Sequence, residues 1–443
     1  MIRSRVLCGA LAVATLAPAA ASAQRGGPYA GLFGRAPDRV GKEFTAVQFR
    51  TTAGAQIGQT LQADFDQVEA VPEGFSAGAD AGITADYRRD RVQAFAHGRY
   101  AYQEYRQETA FGAPGFDAGG RVNYEVTTRL SLQGGAQFVR SPFFSVMWLA
   151  PEMFGPVSGA TLGNTAMLMM KNDSAEAHGG FTAQLGRRTS LIGSAFTRHT
   201  TFATSPENDF ATVGGRSVLK HQLTRSLGLR AGYEREEMRT APEAGADIYV
   251  NEILDVGVDF AKAFSMGRRT MFSFTTETSM VRQYEGAREF RLNGTVGFER
   301  RFKRTWITQL SAIRATEFLP GFIGPVFTDR GHAVLAGYLT KRLLFDAKAE
   351  GGQGVVGRGA IGQRVVTLGD RRRFISYTGN ASLTFGLTRH FGVFGQYTYY
   401  HYQMPTDPLA LATVQHLSRQ AVSIGVKTWV SIIDKEKVPR DPR

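Results

Sequence analysis

The chain has 443 residues, 43% of them hydrophobic, and a formal net charge of +13. Its mean hydropathy of -0.20 excludes neither a soluble protein nor a membrane protein built from strands, because such strands show only alternate residues to lipid. The one cysteine, Cys8, excludes disulfides, thiolate metal sites and cysteine nucleophiles from everything downstream of the first residues.

Residues 1–23 read as a signal peptide. Arg3 and Arg5 form a basic start, Val6 to Ala17 an apolar stretch, and Ala21-Ser22-Ala23 a small-residue cleavage site before Gln24. Cleavage removes Cys8 together with Arg3 and Arg5, taking the charge from +13 to +11. Residues 24–42 form a short periplasmic lead, too few for a barrel plug, and 431–443 a charged periplasmic tail. Between them no apolar run approaches the roughly 20 residues that a spanning helix needs.

What fills 43–430 is alternation with a period of two. Val250, Leu254, Val256, Val258 and Phe260 alternate with Asn251, Asp255 and Asp259; Phe290, Leu292, Val296 and Phe298 alternate with Arg291, Asn293, Thr295 and Glu299; Tyr377, Leu383 and Phe385 alternate with Thr378, Asn380 and Thr384. One face is apolar and the other polar or charged. A soluble sandwich would bury the apolar face, whereas a membrane barrel turns it to lipid and the polar face to the lumen.

The connections decide between the two. Tight basic turns fall near Arg88-Asp90, Thr128-Arg129, Gly186-Arg188, Thr224-Arg225, Met266-Arg269, Lys303-Arg304, Lys341-Arg342 and Arg389-His390. They alternate with longer connections at 53–77, 105–115, 142–174, 201–207, 239–247, 282–288, 319–327, 357–371 and 404–416. Val126 to Leu132, Leu223 to Leu229 and Leu387 to Val393 are three versions of one hairpin: strand end, polar-basic turn, strand start. Short turns at one rim and long loops at the other mark a transmembrane antiparallel up-and-down β-barrel. About eighteen strands fit, an even number as bacterial barrels have, with sixteen as the alternative.

The pattern over 43–430 resembles the porin class of outer-membrane β-barrels, by architecture rather than by a motif. The last strand, Ala421 to Val430, looks like the signal read by the barrel-insertion machinery, although a charged tail follows where such chains end on an aromatic residue. The resemblance implies passage of solutes, and an inward-folded third loop. Here the third long connection, 142–174, is the longest and carries Phe143, Phe144, Trp148, Met153 and Phe154, expected to constrict a pore.

Alternation places Arg99, Arg121, Glu125, Arg216, Lys220, Arg230, Glu234, Asp255, Asp259, Glu277, Arg291, Glu299, Asp346, Lys348 and Glu350 on the lumen wall. There they set selectivity, or pair across strands and keep the wall wet. Tyr100, Tyr102, Tyr105, Tyr397, Tyr399, Tyr400 and Tyr402 at loop ends, with Trp306 and Trp429 near turns, are expected as interfacial girdles. A sugar-stacking path would instead need Phe394 and Tyr400 turned inward.

The basic turns suit outer-membrane lipid head groups or an acidic periplasmic partner, and are too scattered for nucleic acid. There is no G-x-S-x-G, H-E-x-x-H or P-loop, and no metal or cofactor set. The leading expectation is an outer-membrane channel for hydrophilic solutes or polymer. The alternatives are a polysaccharide-export barrel with a periplasmic partner, a barrel enzyme, and a structural barrel. The sequence fixes neither the solute nor the oligomeric state.

Overall fold

The computed structural model describes residues 43–65, 74–106, 110–141, 171–203, 209–240, 248–264, 270–282, 288–302, 305–318, 325–356, 360–361, 364–365, 373–403 and 414–437. In chain order the strands are β1 Glu43–Phe65, β2 Gly74–Arg89, β3 Val92–Arg106, β4 Ala110–Thr127, β5 Leu130–Ser141 and β6 Asn172–Gln184. There follow β7 Thr189–Phe202, β8 Phe210–Gln222, β9 Leu227–Thr240, β10 Ile248–Phe264, β11 Thr270–Arg282 and β12 Arg288–Phe302. The series ends with β13 Trp306–Phe318, β14 Pro325–Tyr338, β15 Leu343–Val356, the two-residue pair β16 Ala360–Ile361 and β17 Arg364–Val365, then β18 Arg373–Gly386, β19 Phe391–Gln403 and β20 Val414–Lys437.

All but β16 and β17 belong to one 18-stranded sheet. Each strand pairs antiparallel with its neighbours in sequence, and β1 pairs with β20 from Glu43↔Lys437 to Phe65↔Val414. The sheet therefore closes on itself, and no strand is left as an edge. The expected strand number holds.

The outer face is apolar along the strands. Ile57, Val256, Leu292 and Ile424 are 63–70% exposed, and they alternate with inward polar side chains. A closed barrel with an apolar outside satisfies its backbone within a bilayer, and the protein is an outer-membrane β-barrel.

Several expected boundaries move. Most of the 53–77 segment is strand, paired from Ala53↔Ala79 to Gly58↔Gly74, so Asp64 stands on β1 opposite His416 rather than in a loop. The connection expected at 105–115 shrinks, because β4 starts at Ala110. β20 runs to Lys437, beyond the expected end at 430, so the first part of the charged tail is strand. The turns expected near Met266-Arg269 and Lys303-Arg304, and the residues before 43, lie outside the described residues, apart from the turn residue Thr305.

Four of the short turns share one device. Thr127, Thr224, Thr340 and Thr388 each accept, at Oγ1, the backbone N–H groups two and three residues on: Arg129 and Leu130, Ser226 and Leu227, Arg342 and Leu343, His390 and Phe391, at 3.0–3.3 Å. A threonine hydroxyl replaces the backbone acceptors that a reversing chain lacks. The basic residues between are exposed, forming a charged rim. Thr388→Val is expected to destabilise the barrel by about 1 kcal/mol, the net worth of such hydrogen bonds, read as a lowered urea midpoint in detergent micelles. An unchanged midpoint would remove the hydroxyl from the account.

Candidate functional site on the lumen wall

The charged residues of the inner face do not spread evenly. Seven of them, on four adjacent strands, converge: Arg216 and Lys220 on β8, Arg230 and Glu234 on β9, Asp255 and Asp259 on β10, Glu277 on β11. Arg216 reaches Asp255 at 2.5 Å, Glu234 at 3.5 Å and Glu277 at 3.8 Å. Arg230 reaches Asp255 at 2.6 Å, Glu277 at 3.2 Å and Asp259 at 3.3 Å. Lys220 meets Asp259 at 3.0 Å.

Register explains why these groups meet. Arg216 lies directly opposite Glu234, but Lys220 lies opposite Arg230, a like-charge pair that would repel. Asp259 stands between the two cations and offsets them. Arg216 and Asp255 are two strands apart and meet across Gly232, which is the register partner of Asp255. A Cβ at Gly232 would sit 2.6 Å from the Ser217 carbonyl oxygen, so a glycine is needed there.

Glu277 enters through an irregularity of the wall. Leu254 pairs with Thr278 but Asp259 pairs with Thr275, so β10 carries two extra residues against β11. Such a bulge bends the strand and re-aims its side chains. A Cβ at Gly257, inside the bulge, would collide with the Thr276 carbonyl oxygen. Arg230 donates from Nη2 to that same carbonyl at 2.8 Å, and the backbone N–H of Val258 donates to Thr276 Oγ1 at 3.3 Å. The centre of the cluster is enclosed, with the Asp255 side chain 0% and the Arg230 side chain 7% exposed, while Lys220, at 32%, is its most open member.

The remaining expected lumen residues stand in smaller groups. Arg99 pairs with Asp80 at 3.3 Å; beside it, Asp117 holds His97 and Gln137. Arg121 lies 5.5 Å from the Phe95 ring centroid, and Glu125 is exposed on β4. Glu299 accepts from Arg301 at 2.8 Å and from Gln309 at 3.3 Å. Lys348 and Asp346 meet at 3.6 Å, and Glu350 is buried. Arg291 stands 3.9 Å over the Phe327 ring. Phe143, Phe144, Trp148, Met153 and Phe154 lie outside the described residues.

The aromatic assignment needs correcting. Tyr100, Tyr102 and Tyr397 are 42–52% exposed on the outer face, and Tyr399 shares their register face, as expected of a girdle. Tyr105, Tyr400 and Tyr402 point inward and are 0–3% exposed. With Phe202, Phe210 and Phe374, also inward and 0–6% exposed, they form an apolar collar at the loop-side ends of β3, β7, β8, β18 and β19. Phe394 also faces inward, under the Lys427 ammonium at 4.6 Å. Trp306 stacks on Phe302 at the turn rim, whereas Trp429 faces inward and donates to Gln48 at 3.4 Å.

Alternation missed Gly232 and Gly257, although a signal exists. Arg230-Ala-Gly232-Tyr-Glu234 and Asp255-Val-Gly257-Val-Asp259 are charge-glycine-charge triplets on one strand face. Among the described residues no group of His, Cys, Asp and Glu side chains could hold a metal ion.

No family model matches the chain, and no curated protein does. Among solved structures it is similar to the siderophore receptor PirA from Pseudomonas aeruginosa, at 10% identity and TM-score 0.43, over 90% of this chain and 81% of that one. It is also similar to the copper transporter OprC, at 12% identity and TM-score 0.42, over 90% and 70%. The FrpB iron transporter from Neisseria meningitidis is similar at 7% identity and TM-score 0.43, over 88% and 82%. No residue role follows from likeness at this level.

Proposed function

We propose that the protein is an outer-membrane channel for small hydrophilic solutes, narrowed at its loop-side mouth by the segment 142–174. The observation that carries this reading is the closed 18-stranded wall with charge clustered on its inner face. Wall side chains cannot fill a barrel of that girth, and charge on such a wall is kept where water and polar solutes run.

The collar supports the narrowing. Inward phenylalanines and tyrosines are unsuited to a wet wall, yet they are buried. The segment 142–174 is rich in Phe, Met and Trp, the chemistry that an apolar collar would seat.

The test is single-channel conductance of the refolded protein in a planar bilayer, beside a variant lacking 143–170. A steady ohmic conductance that rises several-fold in the deletion is expected. Silence from both forms would sink the channel reading. A deletion that conducts like the parent would keep the channel and remove the constriction.

A further inference from the structure

The two rims of the barrel handle charge differently. On the outward face near the loop side, cations stand beside acids: Arg140 with Asp173 at 2.7 Å, Arg235 with Glu237 at 2.6 Å, and Arg314 with Asp329 at 2.5 Å. At the turn side they do not. Arg129, Arg187, Arg188, Arg225, Lys341 and Arg389 are exposed at turn tips, and none makes an ion pair among the described residues. Asp90, 3.7 Å from Arg89, is the one acid in the described short turns. Like charges gathered without counter-charge raise a local positive potential.

The residues directly beneath the tips decide what those cations meet. Leu185, Leu223, Leu339 and Leu387 close their hairpins with backbone N–H groups donating to Thr189, Leu227, Leu343 and Phe391 at 2.9–3.0 Å. Counting in twos along the strands puts these leucines on the outward face, in line with exposed Leu219 on β8 and Phe385 on β18, and they are 41–60% exposed. The apolar outer surface therefore reaches the residue directly before each basic tip. Trp306 marks the same level, because its ring stacks on Phe302 and lies against Gly337, two residues before Leu339. An indole at the end of an apolar face belongs at a membrane–water interface. A soluble partner needs tips that stand clear of the bilayer, whereas these stand at head-group depth.

We propose that the turn rim binds the head groups of anionic phospholipid in the leaflet on its side of the membrane. An acyl chain lies along the outward leucines while its phosphate meets the guanidinium or ammonium group at the tip. Arginine suits this task, since its planar donors match phosphate oxygens in pairs. The threonine hydroxyls of Thr224, Thr340 and Thr388 already hold three of these turns in shape, so little ordering is left to oppose binding. The rim lies outside the lumen, and lipid binding there does not require a conducting channel.

Electron spin resonance of the full refolded chain in phosphatidylcholine vesicles tests this with two spin-labelled probes, phosphatidylglycerol and phosphatidylcholine. One tip is worth about fivefold to an anionic lipid. Averaged around the barrel, phosphatidylglycerol is expected to be favoured at its surface by about twofold at low salt. That preference should fall as salt rises. It should fall by more than half in an Arg129→Gln/Arg187→Gln/Arg188→Gln/Arg225→Gln/Lys341→Gln/Arg389→Gln variant, whose folding is checked by heat-sensitive gel migration. Equal association of both probes at low salt would overturn the proposal and leave the rim to an acidic soluble partner. A preference in the parent that ignores salt, or one that survives in the folded variant, would overturn it as well.

Discussion

Asp255→Ala is expected to cost the barrel about 3 kcal/mol, the largest loss from any single charge on the wall. Its carboxylate is fully enclosed and takes a guanidinium on each side, Arg216 at 2.5 Å and Arg230 at 2.6 Å. Removing it leaves both cations crowded and short of counter-charge. Glu234, Asp259 and Glu277 remain within 3.8 Å of one or other arginine, which keeps the loss at the lower end for a broken buried pair. Asp255→Asn should fall between parent and alanine, since it keeps shape and acceptor but not charge. Urea unfolding in micelles reads the difference. An alanine variant within about 0.5 kcal/mol of the parent, the range of an ordinary surface substitution, would reduce the cluster to a coating.

Gly257→Val should leave almost no assembled barrel. Any Cβ there runs into the Thr276 carbonyl oxygen, which is backbone and cannot step aside. That carbonyl also anchors Arg230, so relief by moving the strand would break the cluster as well. Overpacking against backbone costs about 3 kcal/mol or more. The readout is the heat-sensitive migration of folded barrel on a gel after refolding. Gly179→Ala is the control, because a Cβ at Gly179 meets nothing within 4 Å. A Gly257→Val protein that refolds as well as the control would mean that β10 carries no such bulge in the membrane.

The architecture was legible because strongly apolar residues mark the outer face. Phe290, Leu292 and Val296 on β12 alternate with Arg291, Asn293 and Thr295, and their direction can be read from side chains alone. On the upper part of β1 the outward residues include Ala53 and Ala55, and the inward ones Gly54 and Gly58, so contrast vanishes and the strand passes for a loop. At the start of β4, Ala110 to Gly115 hides in the same way.

Facing was legible at the site, but convergence was not. Each member of the cluster can be placed on the inner face by counting in twos. Which residues share a height depends on stagger across four strands and on the two extra residues of β10, and neither leaves a mark on a single strand. The collar failed for a different reason. Counting in twos assumes a polar inside, and Tyr400 and Tyr402 break that assumption where the barrel meets its loops.

The seam between β1 and β20 bears on how the protein comes into being. Every other ladder of the barrel joins strands close in the chain, even β15 and β18 with only the short pair β16 and β17 between them, but this one joins residues such as Thr51 and Thr428, 377 positions apart, whose hydroxyls meet at 2.6 Å. So distant a pairing is slow to find. Until it is found, the molecule is a curved ribbon with two raw borders, each able to recruit a stranger. A product cut short before β20 can never retire its borders, however well its other hairpins form. Completion is therefore all-or-nothing: the ring is sealed only when its first strand meets its last.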